Sequence, residues 1–223
     1  MVEKNEKIPD QVYVTMSVVM FTLDEGELKI VLLERTKKPR SGMWALPGGY
    51  LMTNKSAEQT VQLKLFKKLG LVNVYLESIG VFSDPKRDPR WRAVNIAYVS
   101  AGLYHNIQKL SSYGEVKLFS LKKLPKMPFD HSDIVRYAYS ILQKKMMDSN
   151  IAQFFLPRQF TLTQLQTVYD QIQGKTSDIR NFRKFIQRYV SLKSTGKQQQ
   201  NVGHRPAMLY EFSTKNIDID YYN

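Results

Sequence analysis

The sequence contains no cysteine and only three histidines among its 223 residues. Without cysteine the chain forms neither a disulfide bond nor a thiolate metal site, and three scattered histidines disfavour a zinc centre. It also lacks any apolar run of about 18 or more residues, the length that a membrane-spanning helix needs. Residues 1–10 are mostly polar and charged, which argues against a secretory signal. We therefore expect a cytosolic protein without a membrane partner.

Acidic residues are scarce relative to basic ones. The chain has 20 aspartates and glutamates against 33 lysines and arginines, a formal net charge of +13. Such an excess favours a polyanionic partner, although basic charge also serves solubility, so its location along the chain decides between the two. At this length the chain can hold one large or two small domains, each with its own core, and we favour two.

A motif runs from GMWALPGGY (residues 42–50) through a helix-forming segment to Leu71. Its glycines and aliphatic residues have the spacing of a Nudix box counted from Gly49, and the segment resembles that motif. In the Nudix pattern one glutamate precedes the helix, and an Arg-Glu pair and a Glu-Glu pair stand on it. Those positions are occupied here by Lys55, Leu63, Lys64, Lys67 and Lys68. All four carboxylates are absent and their charge is reversed.

This replacement removes the chemistry of the motif. Magnesium requires oxygen ligands, and protonated lysine has no lone pair to offer and repels the ion, so we expect no catalytic residue, metal or cofactor. Lys64, Lys67 and Lys68 are three and four residues apart and share one helix face. Two interpretations stay open: a solvated lysine face, or the wall of a cleft that holds an anionic ligand without metal and without cleaving it.

The flanking segments predict a mixed sheet with helices on its faces. Apolar, β-branched runs predict strands at Tyr13–Leu23, Leu28–Glu34, Tyr75–Phe82 and Arg92–Leu103. Amphipathic runs predict helices from Ser56 or Ala57 to Leu69 and from Asp130 to Met147. The expected fold class is α+β, a Nudix-like α/β/α sandwich followed by a winged helix-turn-helix domain.

The chain changes character at MDSNIAQ (147–153), which lacks periodicity, so we place the domain boundary between 1–152 and 153–223. Beyond it, Thr161 and Gln164 form a capping box for a helix that ends at Gly174. After the GKTSD turn, Ser177 or Asp178 can cap a second helix from about Ile179 to Val190. Its buried face is predicted to consist of Phe182, Ile186 and Tyr189, or of Phe185, Ile186 and Tyr189.

The opposite face of the second helix is basic. It carries Arg180, Arg183, Lys184 and Gln187, with Asn181 and Arg188 beside them. These side chains donate hydrogen bonds to phosphates or base edges, as in the second helix of a helix-turn-helix. A polar loop is predicted from Ser194 to Arg205, before a strand ending in residues 207–212. This pattern is typical of the wing of a winged helix. Its candidates for phosphate contact are Lys193, Lys197, His204 and Arg205. The alternative is a basic helix that merely packs against the first domain.

Three segments of the C-terminal region resemble the winged helix of Nudix-related transcriptional regulators: LPRQFTLTQLQTVYDQI, RNFRKFI and RPAMLYEF. These regulators include repressors of NAD metabolism and sugar-utilisation regulators. The similarity covers about Val12 to Phe212. It implies a homodimer, a palindromic operator in double-stranded DNA, and a small-molecule effector: ADP-ribose, a related nucleotide or a sugar. The lysine-rich box favours an anionic effector.

Candidate effector-binding residues are Arg35, Lys55, Lys64, Lys67, Lys68 and Arg87. For Arg35 and Arg87, surface ion pairs with Glu34 and Asp88 are equally open interpretations. Asp130 and His131 are expected to cap the helix that follows.

The competing function is a Nudix hydrolase with residual activity through acids elsewhere, such as Glu58 or Glu115. No second carboxylate of the box can pair with Glu58, so we expect a regulator and not an enzyme.

Overall fold

The computed structural model describes residues 11–71, 74–103, 110–111, 114–148, 150–200 and 205–213. The predicted wing residue His204 lies outside these residues. The strands are β1 (Tyr13–Asp24), β2 (Glu27–Glu34), β3 (Trp44–Ala45), β4 (Gly48–Tyr50), β5 (Glu77–Phe82), β6 (Ala93–Ala101), β7 (Leu110–Ser111), β8 (Gly114–Ser120), β9 (Leu192–Gln198) and β10 (Met208–Phe212). The α-helices are α1 (Ala57–Leu69), α2 (His131–Asp148), α3 (Leu162–Gln173) and α4 (Ile179–Tyr189).

The large sheet has the order β5-β6-β1-β2-β8-β7, with β3 paired to β2 and β4 paired to β1. β1 runs parallel to β6 and antiparallel to β2 and β4. Glu25 and Gly26 form the hairpin turn with φ values of 52° and 74°, because a two-residue turn that follows the twist of its strands requires positive φ at both positions. The predicted mixed sheet and its first hairpin are confirmed.

The two faces of the sheet carry different helices because side chains alternate along a strand. Met16, Val18 and Met20 of β1 pack against Val61 and Leu65 of α1. Val19 and Phe21 of β1 belong to the opposite core, with Ile134, Ala138 and Leu142 of α2. Ser56 and Gln59 form the capping box of α1, and Gly70 ends it in the left-handed conformation. The three-layer sandwich is confirmed.

The core beneath α2 continues without interruption into the C-terminal region. It includes Ile151 and Ala152, which lie in a 3₁₀ helix at Ile151–Phe155, where the sequence had no periodicity. It extends to Phe160, Val168 and Ile172. Because one core spans both parts, the boundary after residue 152 stays a prediction.

Hydrogen bonds fasten α2 to the end of α3. The Tyr139 hydroxyl and the Gln143 Nε2 both donate to the Ile172 carbonyl, at 2.8 and 3.1 Å. In the opposite direction, Gln173 Nε2 of α3 donates a hydrogen bond to the Gln143 carbonyl of α2 at 3.0 Å. The last carbonyls of a helix lack partners within the helix, so α2 supplies side-chain donors that α3 needs.

The helix-turn-helix forms as its capping residues predict. Thr161 and Gln164 form the capping box of α3, Gly174 ends it, and Asp178 caps α4. Phe182 and Ile186 are buried. Tyr189 is 61% exposed, so its predicted burial is wrong. The following residues Val190 and Leu192 pack against the core in its place, because the chain turns into β9 there.

The wing is a two-stranded antiparallel sheet of β9 and β10. It joins the core through Phe160 and Tyr210, which exchange backbone hydrogen bonds of 3.0 and 2.8 Å. The segment 194–198, predicted to be loop, belongs to β9 and pairs with β10. Gly196, with φ of 71°, lies opposite a register shift in β10, so polar residues here continue a strand around a bulge.

We expect Leu142→Ala to lower the free energy of unfolding by about 2 to 5 kcal/mol, because Leu142 is fully buried in α2 and its removal leaves a cavity. Urea denaturation followed by circular dichroism should show one transition, since the core is shared. Lys144→Ala, at an exposed position of the same helix, is the control and should change stability by less than about 0.5 kcal/mol. Two separate transitions would contradict a single core.

Candidate functional site: a cationic cleft and a basic helix

Two lysines of α1 turn toward β4. Lys68 Nζ donates to the Gly48 carbonyl at 2.7 Å. The Lys64 side chain lies over Gly49, where an added Cβ would come within 3.2 Å of its Nζ. Gly48 is also confined, because a Cβ there would stand 2.0 Å from the Met16 carbonyl oxygen. Gly49 therefore allows the Lys64 side chain of α1 to lie against β4, whereas Gly48 allows β4 to pair closely with β1. We call the surface around Lys64, Lys68 and Arg35 the cationic cleft.

Like charges accumulate around these lysines. Burial, followed by the neighbouring cations Lys64, Arg35 and Lys37, lowers the pKa of Lys68 to about 8. Burial and then Lys67 lower the pKa of Lys64 below its ordinary value. An anion placed among these groups would favour their charged forms.

Lys67 and Lys55 differ from these two lysines, because both are exposed. Lys55 lies beside a groove of about 340 Å³, which is lined by Gln59, Gln62, Leu63, Phe66, Leu71 and Val74. Lys64 and Lys68 do not line that groove. Of the four lysines in the degenerate box, the structure therefore brings two together at the cleft and leaves two in solvent.

Arg35 extends the cationic cleft from the end of β2. Its guanidinium donates to the backbone carbonyls of Pro39 and Lys37 at 3.0 and 3.3 Å, and not to Glu34. It also stands 5.1 Å from the centre of the Phe129 ring. Burial and then Arg90 lower its pKa. The alternative pairing of Arg35 with Glu34 is therefore wrong.

Arg87 does not pair with Asp88, and that alternative is also wrong. Its Nε and Nη2 bind both carboxylate oxygens of Asp130 at 2.8 Å. The two side chains are 5% and 15% exposed. Asp88 instead pairs with Arg90 at 2.7 Å. Arg87 therefore fastens its loop to the start of α2.

Of the two residues expected to cap α2, Asp130 stands directly before the helix, and His131 lies within it. The Asp130 carboxylate binds Arg87, while its backbone carbonyl accepts from Asp133 and Ile134. His131 is the buried first residue of α2, and its Nδ1 accepts from the Leu46 amide at 3.1 Å. Burial, followed by Arg87 and Arg35, lowers the pKa of His131 to about 3, so the ring is neutral.

An aromatic group that was not predicted from the sequence adjoins the cationic cleft, because Tyr50 and Arg90 both interact electrostatically with Arg35. The rings of Tyr13, Tyr50 and Trp91 stand 4.6 to 6.3 Å apart. Arg90 lies over Trp91 at 4.2 Å and is 5.8 Å from Phe129. The Trp91 Nε1 is buried without a hydrogen-bond partner among the described residues. Tyr50 ends the GGY segment and Trp91 ends the PRW segment, so these two segments were the signal in the sequence for two of the three rings.

The acids proposed for residual hydrolysis are engaged elsewhere. Glu58 accepts from the Tyr98 hydroxyl and the Ser56 hydroxyl at 3.1 Å each. Its pKa is lowered, first by its own backbone amide at the start of α1. Glu115 pairs with Lys117 on β8 at 3.0 Å. Across the described residues, no group of three or more histidine, aspartate or glutamate side chains is placed to hold a metal ion.

The second candidate surface is the outer face of α4. All the predicted base-reading residues on it are exposed, namely Arg180, Asn181, Arg183, Lys184 and Gln187. In the wing, Lys193, Lys197 and Arg205 are exposed as well. α4 packs through Phe182 against Tyr169 of α3, with ring centres 5.5 Å apart, which leaves the basic face outward. This geometry is that of a recognition helix and wing.

Fold and surfaces together define a Nudix-type ligand-binding domain joined to a winged helix. The chain matches the models of the NUDIX domain over residues 14–138 and of the NrtR DNA-binding winged helix domain over residues 152–212. It is 30% identical over 213 residues to the ADPR responsive transcriptional repressor NtrR of Acinetobacter baylyi, spanning 93% of this chain and 84% of that protein. The chain belongs to the NrtR family of Nudix-related transcriptional regulators.

Solved structures agree with this assignment. Shewanella oneidensis NrtR complexed with a 27mer DNA has a TM-score of 0.78 and 32% identity, over 89% of this chain and 93% of that chain. The NUDIX domain of the same protein complexed with ADP ribose has a TM-score of 0.55 and 31% identity, over 62% of this chain and 94% of that chain.

The chain is also similar in sequence to an ADP-ribose pyrophosphatase of Methanocaldococcus jannaschii. The two are 28% identical over 135 residues, which span 60% of this chain and 80% of that protein.

Within the part of the chain that the structure describes, no helix is long and apolar enough to cross a membrane.

We expect Asp130→Asn to destabilise the protein by about 3 to 5 kcal/mol, because it leaves the Arg87 guanidinium buried beside a neutral group. Asp133→Asn is the matched control, since Asp133 lies in the same turn and pairs with Arg136 in solvent. It should cost less than about 1 kcal/mol. The measurement is urea unfolding at constant pH. Equal losses for the two variants would show that the Arg87 contact contributes nothing special.

Proposed function

We propose that this chain is a transcriptional repressor whose Nudix domain binds ADP-ribose as an effector and does not hydrolyse it. The observation that carries the proposal is the position of Lys64 and Lys68 over Gly48 and Gly49, where the Nudix motif would gather metal-binding carboxylates. Ammonium groups there compensate the charge of a diphosphate directly, without an ion between protein and ligand.

ADP-ribose fits the remaining chemistry of the cleft. Its diphosphate is matched by Lys64, Lys68 and Arg35, whose like charges lie close together. Its adenine has a π-face suited to the rings of Tyr13, Tyr50 and Trp91. A neutral pentose would leave the clustered cations uncompensated. The Acinetobacter relative is an ADPR responsive repressor, and the NUDIX domain of the Shewanella relative has been crystallised with ADP ribose.

The DNA-binding mode follows from the exposed face of α4 and from the wing. Arg180, Asn181, Arg183, Lys184 and Gln187 would contact bases, and Lys197 and Arg205 would contact phosphates. A homodimer would place two recognition helices on the half-sites of a palindromic operator, about 34 to 36 Å apart or a multiple of this distance.

The helix α2 offers a route by which effector binding can alter DNA affinity. Phe129 and Asp130, the two residues that precede its first turn, lie beside the cleft, and Phe129 has a left-handed backbone with φ of 56° next to Arg35 and Arg90. Further along, Tyr139 and Gln143 hold the end of α3. A ligand that draws the two arginines away from Phe129 would change the support of α2, and α2 supports the helix-turn-helix.

Purified protein with magnesium or manganese should leave ADP-ribose intact, because the box offers lysines where a metal needs oxygen ligands. Chromatography of the reaction mixture over several hours measures this. The competing hydrolase function, favoured by the similarity to the Methanocaldococcus enzyme, requires turnover that survives repurification. It also requires that turnover to disappear in Glu58→Gln or Glu115→Gln.

Lys68→Gln should weaken ADP-ribose binding by about 1.5 to 3 kcal/mol if the ammonium contacts phosphate from its half-buried position. Lys67→Gln is the matched control, one residue away and exposed, and should cost less than about 1 kcal/mol. Isothermal titration calorimetry gives both values. Equal affinities of the wild type and Lys68→Gln for ADP-ribose would mean that Lys68 does not contact the ligand.

The same titration has an expected pH dependence. The pKa of Lys68 is about 8 in the free protein, and a bound phosphate raises it, so binding near pH 8 to 9 takes up a proton and affinity falls as pH rises. Calorimetry in two buffers of different ionisation enthalpy measures the uptake. Lys68→Arg keeps its charge and should remove the dependence, and an unchanged dependence in this variant would assign it to another group.

Arg183→Ala should weaken operator binding by about 1 to 3 kcal/mol and relax the preference at one base pair. Lys197→Ala should weaken all duplexes alike and reduce the salt dependence of binding. Anisotropy titrations at several salt concentrations, with an operator and a scrambled duplex, separate the two effects. A wild-type protein that binds both duplexes equally at every salt concentration would contradict sequence-specific regulation.

A further inference from the structure

Ile179, the first residue of α4, is an apolar side chain on a polar surface. It is 47% exposed, and the helix packs through Phe182 and Ile186 without it. Its neighbours Arg180, Asn181 and Arg183 are all exposed. Packing of the winged helix therefore does not explain an isoleucine at this position.

The backbone that presents Ile179 is held firmly. Gln166 Nε2 of α3 donates to the carbonyl and the hydroxyl of Ser177 at 2.8 and 3.1 Å. The Ser177 amide donates to the Asp170 carboxylate at 3.0 Å. Asp178 accepts from the amides of Arg180 and Asn181 at 3.0 Å each. Three side chains thus fix the turn and the start of α4, so the position of Ile179 is set before any ligand binds.

The negative charge of Asp178 at the N-terminus of α4 disfavours contact between this end of the helix and the DNA phosphates. The Asp178 carboxylate already occupies the first free amides of α4, so the helix N-terminus does not offer them to a phosphate. The exposed carboxylate also repels the sugar-phosphate backbone. The N-terminal residues of a recognition helix are those that reach the base edges of the major groove. Ile179 accordingly lies where the helix would meet bases.

An isoleucine on a base edge has one apolar partner. The major-groove edges display hydrogen-bonding groups and the C5-methyl of thymine, and apolar side chains contact that methyl group. We propose that Ile179 is a specificity-determining residue that packs on a thymine C5-methyl of the operator. The inference rests on the proposed DNA-binding function. Because Ile179 and Arg183 are one helical turn apart, this thymine should lie next to the base pair that Arg183 reads.

The test uses a duplex that the wild-type protein selects from a random-sequence pool. Each thymine is replaced singly by deoxyuridine, which lacks only the methyl group. We expect one replacement per half-site to weaken wild-type binding about three- to tenfold, the effect of losing one or slightly more buried methyl groups. Ile179→Ala should bind the thymine duplex correspondingly more weakly and be indifferent to deoxyuridine at that position.

Tyr189→Ala is the matched control, since Tyr189 is an exposed ring at the opposite end of α4. It should keep the full deoxyuridine effect of the wild type. A deoxyuridine effect that persists in Ile179→Ala, or no effect at any thymine in the wild type, would overturn the inference. So would loss of self-association in Ile179→Ala without DNA, which would assign the side chain to a contact between copies. If the wild type selects no sequence, the proposed DNA-binding function itself fails.

Discussion

The carbonyl of Ile172 near the end of α3 receives two hydrogen bonds from α2, one from Tyr139 and one from Gln143. Apolar contacts on the same side of α2 run from the sheet into the helix-turn-helix as one core. The start of α2 is fixed in turn by the buried pair of Arg87 and Asp130. The orientation of α4 therefore depends on α2, and the residues just before α2 lie beside the proposed effector site.

Charge reversal at the box changes the cleft without changing the fold. α1 keeps the length, caps and buried face expected of a Nudix helix, because Val61 and Leu65 secure it on the sheet. The altered positions lie on its other side, where Lys64 and Lys68 approach the paired glycines. Under the proposed function, such a site selects a ligand by its negative charge and holds it without the metal ion whose activation of water would cleave it.

The sequence predicted those features that depend on interactions between residues close together in the chain. The capping box of Thr161 and Gln164 was predicted, and Asp178 was one of two candidate caps of α4, because each side chain bonds to an amide two or three residues on. The ion pair of Arg87 and Asp130 joins residues 43 apart, and the aromatic cluster joins three separate segments, so no local pattern could predict either. Tyr189 had helical periodicity on the buried face, yet it lies at the helix end, where the chain turns away and exposes it. Strand β8 was not predicted from the sequence, although it pairs with β2 in the large sheet.

The shared core also sets an order of events during synthesis. The sheet, α1 and α2 leave the ribosome before Phe160, Leu165 and Val168, which complete the apolar layer under the C-terminal half of α2. Met146 and Ile151, which are fully buried in the finished protein, belong to the same cluster as these later residues. Part of the apolar surface that this cluster buries is therefore exposed on the nascent chain until the C-terminal region has been synthesised.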